Sequence, residues 1–513
     1  MSGTKRQPDA AASLAAMLRG AEPVPAGAKL ALVLRMSVPA MMAEFASMAM
    51  SFIDAAMIGR LGTADAAAVG LMASSTWLFG GVCWAGVVGF SVQIAQAVGA
   101  GREAEARSVL RQGLAVLGGL SLALAAAGAA VSPWLPGWLG GKGGTALLAA
   151  RYFAICMAGV PFLQLGALST AALQARGDMR TPGSLNMQMC ALNVLFNLLL
   201  IFPAREWTLP SGFALRLPGA GLGVAGAALG TALAEAVTAL RLGRALLVRD
   251  PVLSLRADER LRLSRRVVRK AASLSAPVAF ENAAMNAAVV AATAVVAPLG
   301  DVAIAANSFA ATAEGLCYLP CIGIRAAAQT IVGQAVGAAR AAAARSFAFL
   351  ATACGMLAMA CGGVLLWFAA PHLIGLFTRE PDIVREGAAA LRAVAFAEPF
   401  FAAAIVGGGA LRGAGDTLVP GAFNSLSMWC VRLPLAAFLA GRHGLRGVWE
   451  AIAVELVVRG CFALARLKSS GWSGGAASPS RGRPRAASRG RRREARRAGP
   501  PRPGASPRAC PRP

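Results

Sequence analysis

Between residues 30 and 468, long apolar runs alternate with short, Arg-rich connections. Stretches without any charged residue cover 112–141, 152–175, 181–204, 282–300 and 346–378. At ~1.5 Å of rise per residue, each is long enough to cross the ~30 Å apolar core of a bilayer as a helix. Gly and Pro interrupt many of the runs, which transmembrane helices tolerate. The pattern predicts twelve spans, at about 32–58, 67–92, 108–132, 150–175, 183–203, 219–245, 271–297, 303–325, 346–370, 388–411, 419–440 and 447–467. The fold class is therefore an all-α polytopic membrane protein.

The pattern also repeats. A shift of 238 residues brings landmarks of the first half onto the second without a gap. Ser37-Val38-Pro39 meets Ser275-Ala276-Pro277, and Leu61-Gly62 meets Leu299-Gly300. QAVGAGREAEAR at 96–107 meets QAVGAARAAAAR at 334–345, and Gly177-Asp178 meets Gly415-Asp416. Each half carries six predicted spans, so equivalent helices run in the same direction through the membrane. Duplicated halves of this kind enclose a central cavity in transporters, where one lobe rocks against the other. The organisation reads as an N-terminal segment 1–29, an N-lobe 30–245, a basic linker 246–270, a C-lobe 271–468 and a tail 469–513.

Composition supports this class and removes others. The chain is 57% hydrophobic and 14% charged, with mean hydropathy +0.59, more apolar surface than a soluble domain of 513 residues could hide. The net charge of +26 does not indicate nucleic-acid binding. The tail holds twelve Arg and one acid, Glu494, and is disordered by composition. Ten Lys and Arg crowd into 241–270. Basic loops of that kind mark the cytoplasmic side, which places both termini in the cytoplasm and the chain in the inner (plasma) membrane. Only two His occur, there is no CxxC pair, and nine of the ten Cys lie in apolar runs, so neither a metal site nor a disulfide framework is expected. The first 29 residues have no apolar core of a signal peptide.

One residue stands out against this background. In SFIDAAMIGRLG at 51–62, Asp54 lies in the first span. An ionised Asp at the centre of a span costs on the order of 3 kcal/mol on insertion scales. Its carboxylate is either braced by other helices or used, and intramembrane acids are commonly functional.

The Pro39 segment with SFIDAAMIGRLG, the QAVGAG loop, GALRGAGDTLVP at 409–420 and its degenerate copy ALQARGDMRTP at 172–182 resemble the multidrug and toxic compound extrusion (MATE) family over about residues 30–468. The resemblance implies a secondary active antiporter that exports drugs or metabolites in exchange for protons or sodium by alternating access. It needs no cofactor and acts as a monomer on a small cationic or amphipathic substrate. It also matches Asp54 to the family's shared acid on the first helix, Asn193 to an Asn on the fifth, and Thr231 to a Thr on the sixth. Asn197 stands where the family's N-lobe cation site has an Asp. Asn193 and Asn197 are four residues apart, about 40° around one helix, so both can face one cavity. Two amides and a hydroxyl can serve Asp54 charged or neutral, and one carboxylate fewer favours protons over sodium.

Two further acids are weaker candidates. Glu281, four residues after Pro277, faces either the cavity or the interface near Lys270, and Glu44 follows Pro39 by five residues. On the tenth helix Phe401 replaces the acid of family members that couple through the C-lobe, and few aromatics lie on the cavity helices. Rival readings are a lipid-linked sugar flippase of the same distant superfamily and, less well supported, an intramembrane enzyme. The first would need a strongly cationic cavity. The second lacks HExxH, GxSxG or paired intramembrane Asp motifs.

Overall fold

The computed structural model describes residues 10–20, 24–208, 214–256, 259–469 and 471–474. Nine of its helices are long and apolar enough to span a bilayer, from Ala26–Gly59 to Ala341–Gly375. A tenth span is a bent pair, Pro381–Val394 and Glu398–Ala414, whose axes differ by 59°. The last two run through Leu418–Ser427, a π-helical turn Met428–Arg432, and Leu433–Lys468. Gly444, at φ 62° and ψ −141°, breaks that last helix into two legs, because only glycine takes such a conformation without a Cβ clash. The predicted twelve-span, two-lobe architecture is the observed one.

Three features were not legible in the apolar pattern. Pro203–Thr208 and Ala214–Ala220 pair as an antiparallel hairpin between the fifth and sixth spans. A helix, Ala10–Arg19, lies in the segment expected to be a plain N-terminal stretch. Its Leu14 and Leu18 are buried with Met179 of the N-lobe, Val336 of the C-lobe and Trp472. The basic linker 246–270 is pinned to the N-lobe by its acids. Asp250 pairs with Arg176 at 2.8 Å, and Glu259 pairs with Arg107 at 2.9 Å and with Arg111. Burial would raise the Glu259 carboxyl, but the hydrogen bonds and charges of the two Arg outweigh it and hold the group below the usual carboxylate range. The tail reading at 469–513 falls outside the described residues from 475 onward.

The repeat is visible in the backbone. Left-handed residues recur 238 positions apart: Gly62 and Gly300, Gly101 and Ala339, Gly177 and Gly415. Ala339, at φ 57°, is the single non-glycine of this kind among the described residues, and it accepts the strain of a turn its twin makes with glycine.

The lobes meet at the end that carries the basic loops. The first span packs on Asp301–Gly337, the eighth, while Thr63–Gly99, the second, packs on both the seventh, Arg265–Val296, and the eighth. Residues 89–97 and 330–336 are buried without interruption. Close approach is possible because glycine lines the crossing. A Cβ at Gly99 would sit 2.0 Å from the Gln334 carbonyl oxygen, and one at Gly337 would sit 2.0 Å from that of Gln96. Toward the opposite face the lobes diverge, and no residue of the first span between 41 and 57 is buried. The result is a V closed at the basic face, with a cavity of about 720 Å³ between its arms.

Candidate functional site

The helix of the first span ends at Gly59, so Asp54 lies in its last two turns at the open face, not near its middle. From there its carboxylate reaches the fifth span, Arg180–Leu200. Asn197 donates from Nδ2 to Asp54 Oδ1 at 2.7 Å and to Asn193 Oδ1 at 3.1 Å. Asn193 in turn donates to Thr231 Oγ1 at 3.0 Å, on the sixth span, Gly223–Arg244. All four residues therefore form one hydrogen-bonded chain. Both Asn are fully buried, 0% exposed, while Asp54 and Thr231 are half-buried. Room for Asn197 comes from Gly230, where a Cβ would stand 2.1 Å from Asn197 Oδ1. That oxygen has no hydrogen-bond partner among the described residues. The site thus offers Asp54 a donor and keeps an acceptor in reserve.

Glu235, one turn beyond Thr231, belongs to the same lobe. Tyr152, on the fourth span, Gly143–Arg176, is close enough to feel the charge of both Asp54 and Glu235. Sequence reasoning passed over Glu235, although an acid four residues after Thr231 in an apolar span was a signal in plain view.

Glu281 is elsewhere. It sits behind the cavity-lining Arg412, 2% exposed, gripped through both oxygens by that residue at 2.7 and 2.8 Å, with Asn424 donating at 2.7 Å. It neither joins Asp54 nor reaches Lys270. Glu281→Gln would leave the Arg412 guanidinium buried without its counter-charge, which costs ~3 kcal/mol in measured cases. The variant should lose stability by about that much in detergent, and Arg412→Gln in the same background should recover part of it. An unchanged melting temperature for the single variant would contradict the pairing. Glu44 is also away from Asp54 and lines the central cavity.

Within the C-lobe, Phe401 packs edge-on against Tyr318 at 5.6 Å, so an aromatic contact fills the place of the missing acid. Glu398, three residues before Phe401, is 0% exposed with neither oxygen hydrogen-bonded among the described residues, and it feels the charge of Glu314. Behind them Glu455 is held by Arg432 at 2.7 Å and Arg459 at 2.6 Å. Asp178 and Asp416 brace turns, the first by accepting from the Arg180 and Thr181 amides, the second by pairing with Arg466. Trp77, Trp84, Phe162 and Tyr318 line the cavity, more aromatic surface than the sequence led one to expect. Among the described residues no three His, Cys, Asp or Glu are grouped to hold a metal ion.

The sequence profile of the MatE family matches residues 39–199 and 277–438, one copy in each lobe. The chain is 25% identical over 448 residues to a probable multidrug resistance protein NorM of Thermotoga maritima, covering 86% of this chain and 92% of that one. It is 27% identical over 442 residues to a protein of the same name from Streptococcus pneumoniae strain R6, covering 85% and 94%. A crystal structure of a MATE protein in complex with MaL6 superposes with a TM-score of 0.79 at 20% identity, over 89% of this chain and 98% of that one, a likeness of fold.

Proposed function

The chain belongs to the MatE family of membrane transporters, and from that premise we propose that it exports drugs or metabolites in exchange for protons that bind at Asp54. It is a multi-pass membrane protein of a transporter family, not an enzyme. The observation that carries the coupling reading is the chain Asp54–Asn197–Asn193–Thr231, which joins three spans of one lobe around a single carboxylate.

A charged Asp54 uses the Asn197 donor. Once Asp54 takes a proton, a half-turn of the Asn197 amide would present its unpartnered oxygen to the new O–H. Asp54 then keeps a hydrogen-bond partner with or without its charge, which lowers the cost of holding it in the membrane. Sodium is the second reading. It would find one carboxylate and three neutral oxygens here, fewer charges than a cation of that hardness favours. With the basic loops in the cytoplasm, the cavity of this state opens outward. Drug export is supported by the multidrug names of the relatives and by the aromatic cavity walls.

The test uses inside-out membrane vesicles, whose basic face is outward. An acidic interior should drive accumulation of a fluorescent dye, a protonophore should abolish it, and collapse of the sodium gradient alone should not. Accumulation that follows sodium and ignores the protonophore would sink proton coupling. Accumulation only in right-side-out vesicles would reverse the orientation.

A further inference from the structure

A second cavity, of about 540 Å³, lies on the C-lobe and shares no lining residue with the space between the lobes. Its walls come from the ninth span, the tenth at its 59° bend, and the twelfth. Trp367 and Phe396, both exposed, form an apolar side with ring centroids 5.9 Å apart. Arg392, Arg446 and Glu450 supply the charges.

Arg392 is set in place by a gap in the ninth helix. Pro371 has no N–H, so the Trp367 carbonyl four residues earlier loses its helical donor. Arg392 Nε donates to that carbonyl at 3.2 Å. The two terminal nitrogens of its guanidinium make no hydrogen bond or ion pair within 4.0 Å among the described residues. Glu450 is already engaged, by Arg446 Nε at 3.0 Å and by His443 at 2.8 Å. With His443 neutral, two Arg against one Glu leave the groove one positive charge in excess. The fold itself does not call for these groups. At the repeat positions 238 residues earlier, Trp367, Arg392 and Phe396 are matched by Ala129, Ala154 and Ala158.

The depth of the groove suits a lipid phosphate. A helix of 35 residues is ~52 Å long, so when centred it overruns the ~30 Å apolar core by ~11 Å at each end. Trp367 lies eight residues, ~12 Å, before the end of its helix at Gly375, and Arg392 is bonded to it there. Both therefore sit at the boundary where headgroups begin. The ninth span runs in the direction of the first, so this boundary belongs to the leaflet at the open face of the V. We propose that the groove is a phospholipid site. The phosphate of an anionic lipid from that leaflet lies against Arg392 and Arg446, and its acyl chains run over Trp367 and Phe396. The open guanidinium fork of Arg392 matches two phosphate oxygens. One phosphodiester charge cancels the excess, whereas the ammonium of a zwitterionic lipid would restore it. The groove is independent of the export reading, because it lies outside the cavity between the lobes.

The experiment uses the full-length protein in phosphatidylcholine vesicles that carry a trace of photoactivatable phosphatidylglycerol or photoactivatable phosphatidylcholine. The label is mapped on peptides covering 389–396 and 446–454, so lipid held at the basic face does not contribute. Wild-type protein should take about tenfold more label there from phosphatidylglycerol than from phosphatidylcholine, as one charge-assisted contact provides. Arg392→Gln should bring the two lipids level by lowering phosphatidylglycerol alone, and Arg392→Lys should keep part of the preference. Arg385→Gln removes the same charge from an exposed position on the same helix outside the groove, and should keep all of it. Ala389→Trp fills the groove and leaves every charge in place, and should lose the label from both lipids. Equal labelling of wild-type protein by the two lipids would overturn the proposal. So would a label that survives Ala389→Trp, or an Arg385→Gln variant as impaired as Arg392→Gln, which would make the preference one of general surface charge. Displacement of the label by glycerophosphoglycerol, the headgroup without its chains, would make the groove a site for soluble phosphates and the lipid assignment would fall.

Discussion

Asp54→Asn should reduce gradient-driven efflux to the leak of empty vesicles while leaving the protein inserted and its dye affinity within about threefold of wild type, less than 1 kcal/mol. Asparagine fills the same volume, so the fold is spared, and it can meet the Asn197 amide with its own oxygen. What it cannot do is change charge. If the carboxylate couples the gradient, the two states of the protein lose their difference in affinity for the proton, and the gradient no longer drives anything. Dye binding is retained because Asp54 does not line the central cavity. Asn197→Asp is the complementary variant. It places a second carboxylate beside Asp54, and sodium should then support efflux that wild-type protein draws from protons. Efflux and binding would be measured across pH, with and without sodium. Wild-type efflux by Asp54→Asn under a proton gradient would make the carboxylate structural, and Glu235 would be the next residue to examine.

The second large effect is expected at the helix crossing. Gly337→Val should drive the protein out of the state described here, because the added carbon would meet the Gln96 carbonyl oxygen at 2.0 Å, a backbone clash that no side-chain rotation relieves. Overpacking of a tight contact costs about 1–3 kcal/mol, enough to shift a two-state equilibrium about fivefold or more. The contact exists where the lobes close at the basic face, so its loss favours the alternate, open arrangement. A cysteine introduced at Ala335, fully buried in this state, should become reactive toward an impermeant maleimide above the background of the native cysteines. Gly118→Val is the control, since a side chain there meets nothing within 4 Å. A Gly337→Val protein that exports normally and keeps position 335 unreactive would show that this crossing does not gate the cavity.

Membrane class, span number and duplication were all legible in the chain, because they depend on local quantities. Apolar length decides whether a segment can cross a bilayer, and a fixed offset between motifs needs no fold to be seen. The pairing of Asn193 with Asn197 was also within reach, since i,i+4 spacing puts both amides on one helix face whatever the surroundings, whereas their grouping with Asp54 and Thr231 was implied by the family resemblance. Where these groups lie was decided by tertiary structure. Asp54 ends up near the open end of its helix, and Glu281 is bound to Arg412 instead of facing Asp54, because helix crossings and not sequence distance determine which side chains meet. The pinned linker and the docked N-terminal helix depend on partners more than seventy residues away, which no local pattern reports. The same holds for the central cavity. Arg325 and Glu44 are ordinary isolated charges in two apolar runs, and only the packing of the first span against the eighth brings them to opposite walls of one space.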